Sequence, residues 1–392
     1  MIPLLAFSSI AFAVEDAWPD LPIAAGKPNP DSQDAALIIT IEDYAFVADI
    51  EGANRNGQDW YRFLTQTQGI PASKVKWLQD ANGSKEKIFT SALELVDSTG
   101  EDGRLWLVFV GHGAPSQDGT DGMLVGVDAQ QDAEGLYSRS ISQTKLLSIL
   151  EGGKQSETIA VIDACFSGQS DDGALAPGLQ PLIATADLQT GAVTVLSAGK
   201  NDQFAGPLPG ASRPAFSYLA LGAMTGWADG DGDEKVTAQE AVDYTKQALE
   251  STLLGRQQTP QLYTSAMDTV LGTGSVGSPD FSEINLKVKE WEVLKKEEEA
   301  RAAELMAKPP SRMKSTPLTM TSFGVGAAML AGTGLMAAKI SQTKAEALDL
   351  PLDQQQRFTA LEEQLETQQT TAAILGISGA ASIGVGLIFS FK

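Results

Sequence analysis

Continuous apolar runs set the strongest constraint on how this chain can fold. Residues 35–41 (AALIITI), 104–110 (RLWLVFV), 158–162 (TIAVI) and 192–196 (AVTVL) lack the clean alternation of a strand with one wet face. Such runs fit strands buried on both sides. Helical patterns stand between them, at residues 54–67 with Trp60, Phe63 and Leu64 on one side, and at 86–96, 142–150, 216–224 and 238–249. A further short strand is predicted at 74–78. Strands alternating with helices of this length predict an α/β fold, a mainly parallel sheet covered on both faces. In such sheets ligands gather at the carboxyl ends of the strands.

With 392 residues the chain is long enough for one large domain or two ordinary ones. Its 28 basic against 50 acidic residues, a net charge of −22, argue against a nucleic-acid partner, whose affinity needs phosphate neutralisation. One cysteine allows no intramolecular disulfide, and one cysteine with one histidine cannot build a tetrahedral Cys/His zinc site. Residues 1–13 (MIPLLAFSSIAFA) end in a small-x-small pattern and read as a secretory signal, the alternative being a disordered apolar N-terminus. Residues 318–338 and 370–391 are uncharged and long enough to cross a hydrocarbon core of about 30 Å. Gly324 and Ala328, and Gly376, Ala380 and Gly384, recur at the four-residue spacing that lets membrane helices approach closely. The expectation is a C-terminal transmembrane helical hairpin, against the alternative of two buried Gly/Ala-rich helices. An exported N-terminus puts the main domain on the periplasmic or extracytoplasmic side. Residues 280–307 carry Ile284, Val288, Trp291 and Leu294 at helical spacing among dense Lys and Glu, which predicts a charged, solvated stalk helix before Pro309 and Pro310.

Any chemistry that needs imidazole must use His112, and any that needs a thiolate must use Cys165. His112 follows the predicted strand at 104–110, within Val110-Gly111-His112-Gly113. Cys165 follows the one at 158–162, within Asp163-Ala164-Cys165-Phe166-Ser167-Gly168. Parallel neighbours would bring both side chains to one edge of the sheet. Cysteine is a ready nucleophile at neutral pH, and a nearby imidazole can generate its thiolate. Gly113 allows close backbone approach and offers an N–H to an oxyanion. Each residue taken alone also fits a bland reading, a small buried thiol and a satisfied polar histidine; the joint pattern favours a dyad.

Gly111-His112-Gly113 with Asp121-Gly122-Met123-Leu124 and Val127-Asp128 resembles the histidine block of caspase and metacaspase peptidases. Asp163 to Gly168 resembles their cysteine block, and Leu37-Ile38-Ile39, Tyr44 and Gly52-Ala53 resemble their first strand and the helix after it. The resemblance spans about residues 35–264, within a peptidase domain expected over 35–270, and lies closer to bacterial metacaspase-like proteins than to animal caspases. It implies a three-layer α/β/α sandwich and a Cys–His dyad peptidase. Cys165 would be the nucleophile and His112 the acid/base group, with the backbone N–H groups of Gly113 and Cys165 forming the oxyanion hole. It further implies cleavage after Arg or Lys in an acidic pocket. Asp163 matches one pocket carboxylate, and Asn56 stands where a second usually lies, which weakens the grip on a cation. Residues 169–199 hold no Lys or Arg, so self-cleavage after a basic residue just beyond the cysteine block is excluded and a single-chain domain is expected.

A second constellation runs from Asp229 to Glu240. Asp229, Asp231, Asp233, the Lys235 carbonyl, Thr237 and Glu240 fall at the spacing of an EF-hand calcium loop. Glu234 stands where glycine normally makes the sharp turn, a departure that costs affinity or distorts the loop. The alternative is an acidic turn capping the next helix. Arg256, in the segment 255–261, reads as an ordinary loop residue. The sequence thus predicts a membrane-anchored cysteine endopeptidase with a Ca²⁺ loop and protein or peptide substrates. The rivals are an inactive caspase-like scaffold and a Ca²⁺-binding, membrane-linked interaction protein.

Overall fold

The computed structural model describes residues 17–170, 173–177, 179, 193–200, 203–253 and 256–307. The predicted signal at 1–13 and the predicted membrane spans at 318–338 and 370–391 lie outside the described residues. Among the described residues no helix is long and apolar enough to cross a membrane.

In chain order the strands are β1 (Ala35–Thr40), β2 (Val75–Gln79), β3 (Arg104–Val110), β4 (Gly113–Pro115), β5 (Gly122–Val125), β6 (Ser140–Ser142), β7 (Glu157–Asp163), β8 (Gln169–Ser170), β9 (Gly173–Ala174), β10 (Val193–Ser197), β11 (Lys235–Thr237), β12 (Gln261–Tyr263) and β13 (Val270–Thr273). The helices are α1 (Ala53–Arg62), α2 (Lys85–Ser98), α3 (Ala133–Ser138), α4 (Gln143–Glu151), α5 (Ala215–Gly222), α6 (Ala238–Thr252) and α7 (Phe281–Ala307). The main sheet runs β12-β10-β7-β3-β1-β2. Its pairs are parallel except for β12, which joins β10 antiparallel at one edge.

Two apolar clusters cover the two faces of this sheet. Ile38, Trp106, Val108, Ile159 and Val161 pack with Trp60 and Phe63 and with the buried sides of α5 and α6. Their neighbours in sequence, Leu37, Ile39, Leu105, Leu107, Phe109, Ala160 and Ile162, face α2 and α4. Successive strand residues point to opposite faces, so a run that is apolar at every position needs a helical layer on each side. Each large aliphatic or aromatic side chain buried this way contributes about 1.5–3 kcal/mol.

The short antiparallel elements were not foreseen. β4, β5 and β6 form a small sheet just past the end of β3, and β11 pairs with β13. Three or four residues per strand leave too little periodicity to read. π-helical turns follow α1 at Phe63–Thr67 and α5 at Ala223–Trp227.

The expected stalk also differs. The chain divides into two units, Met1–Lys295 and Lys296–Lys392, and α7 begins in the first. Ile284 and Val288 are buried in the core of that unit, with Phe281 packed against the same cluster, whereas Leu286, Val293 and Leu294 are exposed. The helix therefore starts as a docked element rather than a solvated one.

Candidate active site

Strand register brings the two unique residues together. β3 and β7 pair in parallel with Val110 opposite Asp163, and the Gly111 N–H donates to the Asp163 carbonyl at 3.1 Å. His112 and Cys165 each lie two residues beyond that last pair. Both are nearly buried, at 6% and 7% exposure, and both line one cleft of about 280 Å³.

The histidine tautomer follows from its partner. His112 Nε2 lies 2.7 Å from the Ala48 carbonyl oxygen, which can only accept, so Nε2 carries a proton. In the neutral ring Nδ1 is then bare and able to take a proton. Burial pulls the imidazole down to about 4, against the opposing effect of the Ala48 bond, so the ring is neutral at pH 7. Tyr44 fixes its position: the phenol oxygen accepts the His112 backbone N–H at 2.7 Å, and the two rings sit 4.8 Å apart at 46°. Burial pushes the Tyr44 phenol far up, so it stays neutral.

The nucleophile candidate is held by backbone. Cys165 Sγ accepts the Ala205 N–H at 2.6 Å and donates to the Ala205 carbonyl at 2.9 Å. Gly113 presses against the same residue. A Cβ on Gly113 would lie 2.6 Å from the Cys165 carbonyl oxygen, so only glycine permits this approach. The Val125 N–H donates to the His112 carbonyl at 2.9 Å, making that antiparallel pair a bonded one. The next pair, Gly113 with Leu124, is then non-bonded, and the Gly113 N–H turns away from β5.

Asp163 also lines the cleft and is 6% exposed. Burial raises its carboxyl to about 6, opposed by hydrogen bonds from Ser217, whose backbone N–H donates at 2.8 Å, and by the charge of Arg256. Asp49 and Glu51 line the same cleft, and none of its described lining residues is Lys or Arg.

Asn56 is elsewhere. It does not line the cleft but is buried in a network beside it. Its amide donates to the Pro214 carbonyl at 2.9 Å and to Ser217 Oγ at 2.6 Å, and its oxygen accepts from Arg213 Nε at 2.7 Å. Arg213 continues to Asp59 at 2.8 Å and covers the Tyr218 ring at 4.4 Å. A guanidinium that is only 4% exposed needs acceptors on every side, and Asn56 supplies one. The Asn56 oxygen is therefore spent inside the protein. Arg256, read from sequence as an ordinary loop residue, reaches the Pro207 carbonyl at 2.6 Å and lies over the Phe204 ring. Sequence offers no signal for the Ala48 and Ala205 contacts, which are made by backbone. For Asp49 and Glu51 the only clue is their place in the loop after β1.

In the acidic loop, carboxylate oxygens of Asp229, Asp231 and Asp233 lie within 4.8 Å of one another. Backbone N–H groups of Gly232, Asp233 and Lys235 donate to these three carboxylates at 2.8–3.1 Å. Glu234 takes the left-handed turn expected of glycine, with φ 63°, so the loop keeps its shape at the cost of strain in one residue. Thr237 and Glu240 are engaged differently. The Thr237 N–H donates to a Glu240 carboxylate oxygen at 2.8 Å and Thr237 Oγ1 accepts the Glu240 N–H at 3.2 Å, the capping box of α6, and the Thr237 hydroxyl donates to the same Glu240 oxygen at 2.7 Å. Lys235 sits in β11. The three aspartates fit a hard cation, and Glu240 must leave its cap to join them.

No curated protein matches this chain. Among solved structures, a protein from Geobacter sulfurreducens aligns at 13% identity over 64% of this chain and 96% of that one, with a TM-score of 0.42. The caspase domain family matches residues 33–271, which hold β1 through the first half of β13 and with them His112, Cys165 and the whole cleft. On that match, over more than half of its length, the chain belongs to the caspase-domain peptidase family.

Proposed function

We propose that this protein is a cysteine endopeptidase that cuts after Lys or Arg, with Cys165 as nucleophile and His112 as acid/base group. The observation that carries the reading is the one cleft lined by both Cys165 and a neutral His112 whose Nδ1 is unprotonated. The Cys165 thiol gives its proton to Nδ1 as Sγ bonds to the scissile carbonyl carbon. The resulting oxyanion accepts from the N–H groups of Gly113 and Cys165. Collapse breaks the C–N bond while His112 returns the proton to the leaving amine. Water then attacks the thioester, losing a proton to Nδ1, and the released sulfur recovers it. The Ala48 carbonyl keeps the ring oriented throughout and favours its transient positive charge. Ala205 must yield its bonds to Sγ when substrate enters.

Basic specificity rests on charge. Asp163, Asp49 and Glu51 all line the cleft and give it an acidic wall. Asp229, Asp231 and Asp233 would bind Ca²⁺, joined by the Lys235 carbonyl, Thr237 and a re-aimed Glu240, and so steady the turn that follows α5. Residues 318–338 and 370–391 would anchor the protein in a membrane, with the peptidase domain on the periplasmic or extracytoplasmic side. The test is a panel of fluorogenic peptides ending in Arg, Lys or Asp, assayed with Ca²⁺ and with chelator. Cleavage after Arg and Lys that is lost in Cys165→Ala and His112→Ala supports the reading. Stoichiometric folded protein that cleaves none of them in either condition refutes it.

A further inference from the structure

One wall of the cleft lies outside the main sheet. Residues from Ala205 to Pro214 form a small hairpin that closes with a single bridge between Pro207 and Pro214 and a bond from the Leu208 N–H to the Arg213 carbonyl at 2.9 Å. The Ala215 N–H also donates to the Gly206 carbonyl at 3.1 Å, so Pro207 and Pro214 face each other at a non-bonded position, and a ladder of this length is too short to hold its shape alone. Its support comes from outside. Arg256 holds the Pro207 carbonyl, and the Trp18 indole donates to the Pro209 carbonyl at 2.8 Å. The tip, Gly210, has φ +70°, and a Cβ there would meet Val288 of α7 at 3.2 Å. Val288 and Ile284 share their apolar cluster with Leu208, and Ala205 and Ala211, which both line the cleft, pack against it. The same Ala205 carries the two bonds to Cys165 Sγ.

We infer that the start of α7 is a clamp for the substrate wall: Val288, seated on Gly210, holds the 205–214 hairpin in the shape that receives a peptide. Val288 is a positioning residue, acting through the hairpin and touching no substrate. The helix that leads out of the domain thereby sets how well the cleft binds, and undocking its first turns loosens substrate binding. The inference rests on the peptidase reading for its kinetic form.

The test uses the full chain with Val288→Asp, the conservative Val288→Ile, and Leu286→Asp as a control at a 61% exposed position on the same helix. Steady-state kinetics on a basic peptide, the rate of Cys165 alkylation by iodoacetamide, and circular-dichroism melts are measured together. Val288→Asp is expected to raise KM about tenfold with kcat within about twofold of wild type, while Val288→Ile and Leu286→Asp keep the wild-type KM. Alkylation should quicken at least about threefold in Val288→Asp, because the Ala205 cover on Sγ loosens. If Val288→Asp does not fold, Val288→Ala removes the methyl groups that reach Gly210 while leaving the turn itself untouched, and should shift KM and alkylation in the same direction. A folded Val288→Asp with unchanged KM and alkylation overturns the clamp. So does a KM change that only tracks the lost folded fraction, or a kcat that rises at constant KM. If wild type turns over no peptide, the peptidase reading falls alone, and the alkylation ratio still decides the clamp.

Discussion

Asp163 should cost the protein stability and contribute its specificity, and Asp163→Asn separates the two. Burial raises this carboxyl from 3.8 to about 6, so holding it ionised at pH 7 is unfavourable. At about 1.36 kcal/mol per pH unit, the rise corresponds to about 3 kcal/mol. An asparagine oxygen can still accept the Ser217 N–H now donated at 2.8 Å, so the substitution leaves that bond intact. Asparagine also pays for burial, so the expected gain at pH 7 is smaller, about 1–2 kcal/mol. The cost falls on the substrate. Losing the buried carboxylate that meets a desolvated ammonium or guanidinium should lower kcat/KM on basic peptides by about 10²- to 10³-fold, equivalent to about 3–4 kcal/mol. Urea denaturation at pH 7 reads the first effect and peptide kinetics the second. A variant that is less stable than wild type, with undiminished kcat/KM after Arg and Lys, would refute the reasoning on both counts.

Further outcomes follow from neighbouring groups. His112 sits at about 4 when folded and 6.5 when unfolded, so the unfolded chain binds more protons between those values and stability is lost as pH falls through that window. Asp163 works in the opposite sense, binding more protons when folded, so stability is gained as pH falls from about 6 to 3.8. The two nearly cancel in wild type between pH 6 and 4, whereas Asp163→Asn should lose up to about 3 kcal/mol there, measured by denaturation at each pH; a parallel pair of curves contradicts this. In wild type the same Asp163 titration should give basic-peptide kcat/KM an acid limb near 6, absent in Asp163→Asn. Arg213→Met strands the buried Asn56 oxygen and leaves Asp59 only its pairing with Arg62, and should destabilise by about 2–4 kcal/mol in a urea titration. Gly113→Ala forces its Cβ against the Cys165 carbonyl and should lower kcat by about 10²-fold or more with little change in KM, as expected for a disturbed oxyanion donor.

The parts of this architecture that were legible in sequence are those written as local pattern. Residues 35–41, 104–110 and 158–162 are apolar throughout because β1, β3 and β7 are covered on both faces, and each strand appears within a residue or two of its predicted place. The place of His112 and Cys165 at one cleft is legible for the same reason, since Gly111-His112 and Asp163-Ala164-Cys165 mark the ends of two such strands. What escaped depends on partners remote in the chain. The family resemblance puts Asn56 at the substrate pocket, yet its oxygen belongs to Arg213, 157 residues away. The spacing of Ile284 and Val288 announced an apolar stripe, but the Gly210 hairpin that covers it carries no pattern of its own. Ala48 and Ala205 act through backbone atoms, and side-chain identity holds no information about them. The acidic loop shows both cases: the three aspartates gather as their spacing implies, while Glu240 is drawn to the helix cap.

The most direct test of the central claim is irreversible labelling with a peptidyl chloromethyl ketone ending in lysine, read by intact-mass and peptide-mapping spectrometry. The account predicts one adduct per chain, on Cys165, formed much faster than on free cysteine and slowed at least about 10²-fold in His112→Ala. The adduct should be prevented by a competing basic peptide and not by an acidic one. A Cys165 that reacts no faster than free thiol, at a rate indifferent to His112→Ala, would contradict it.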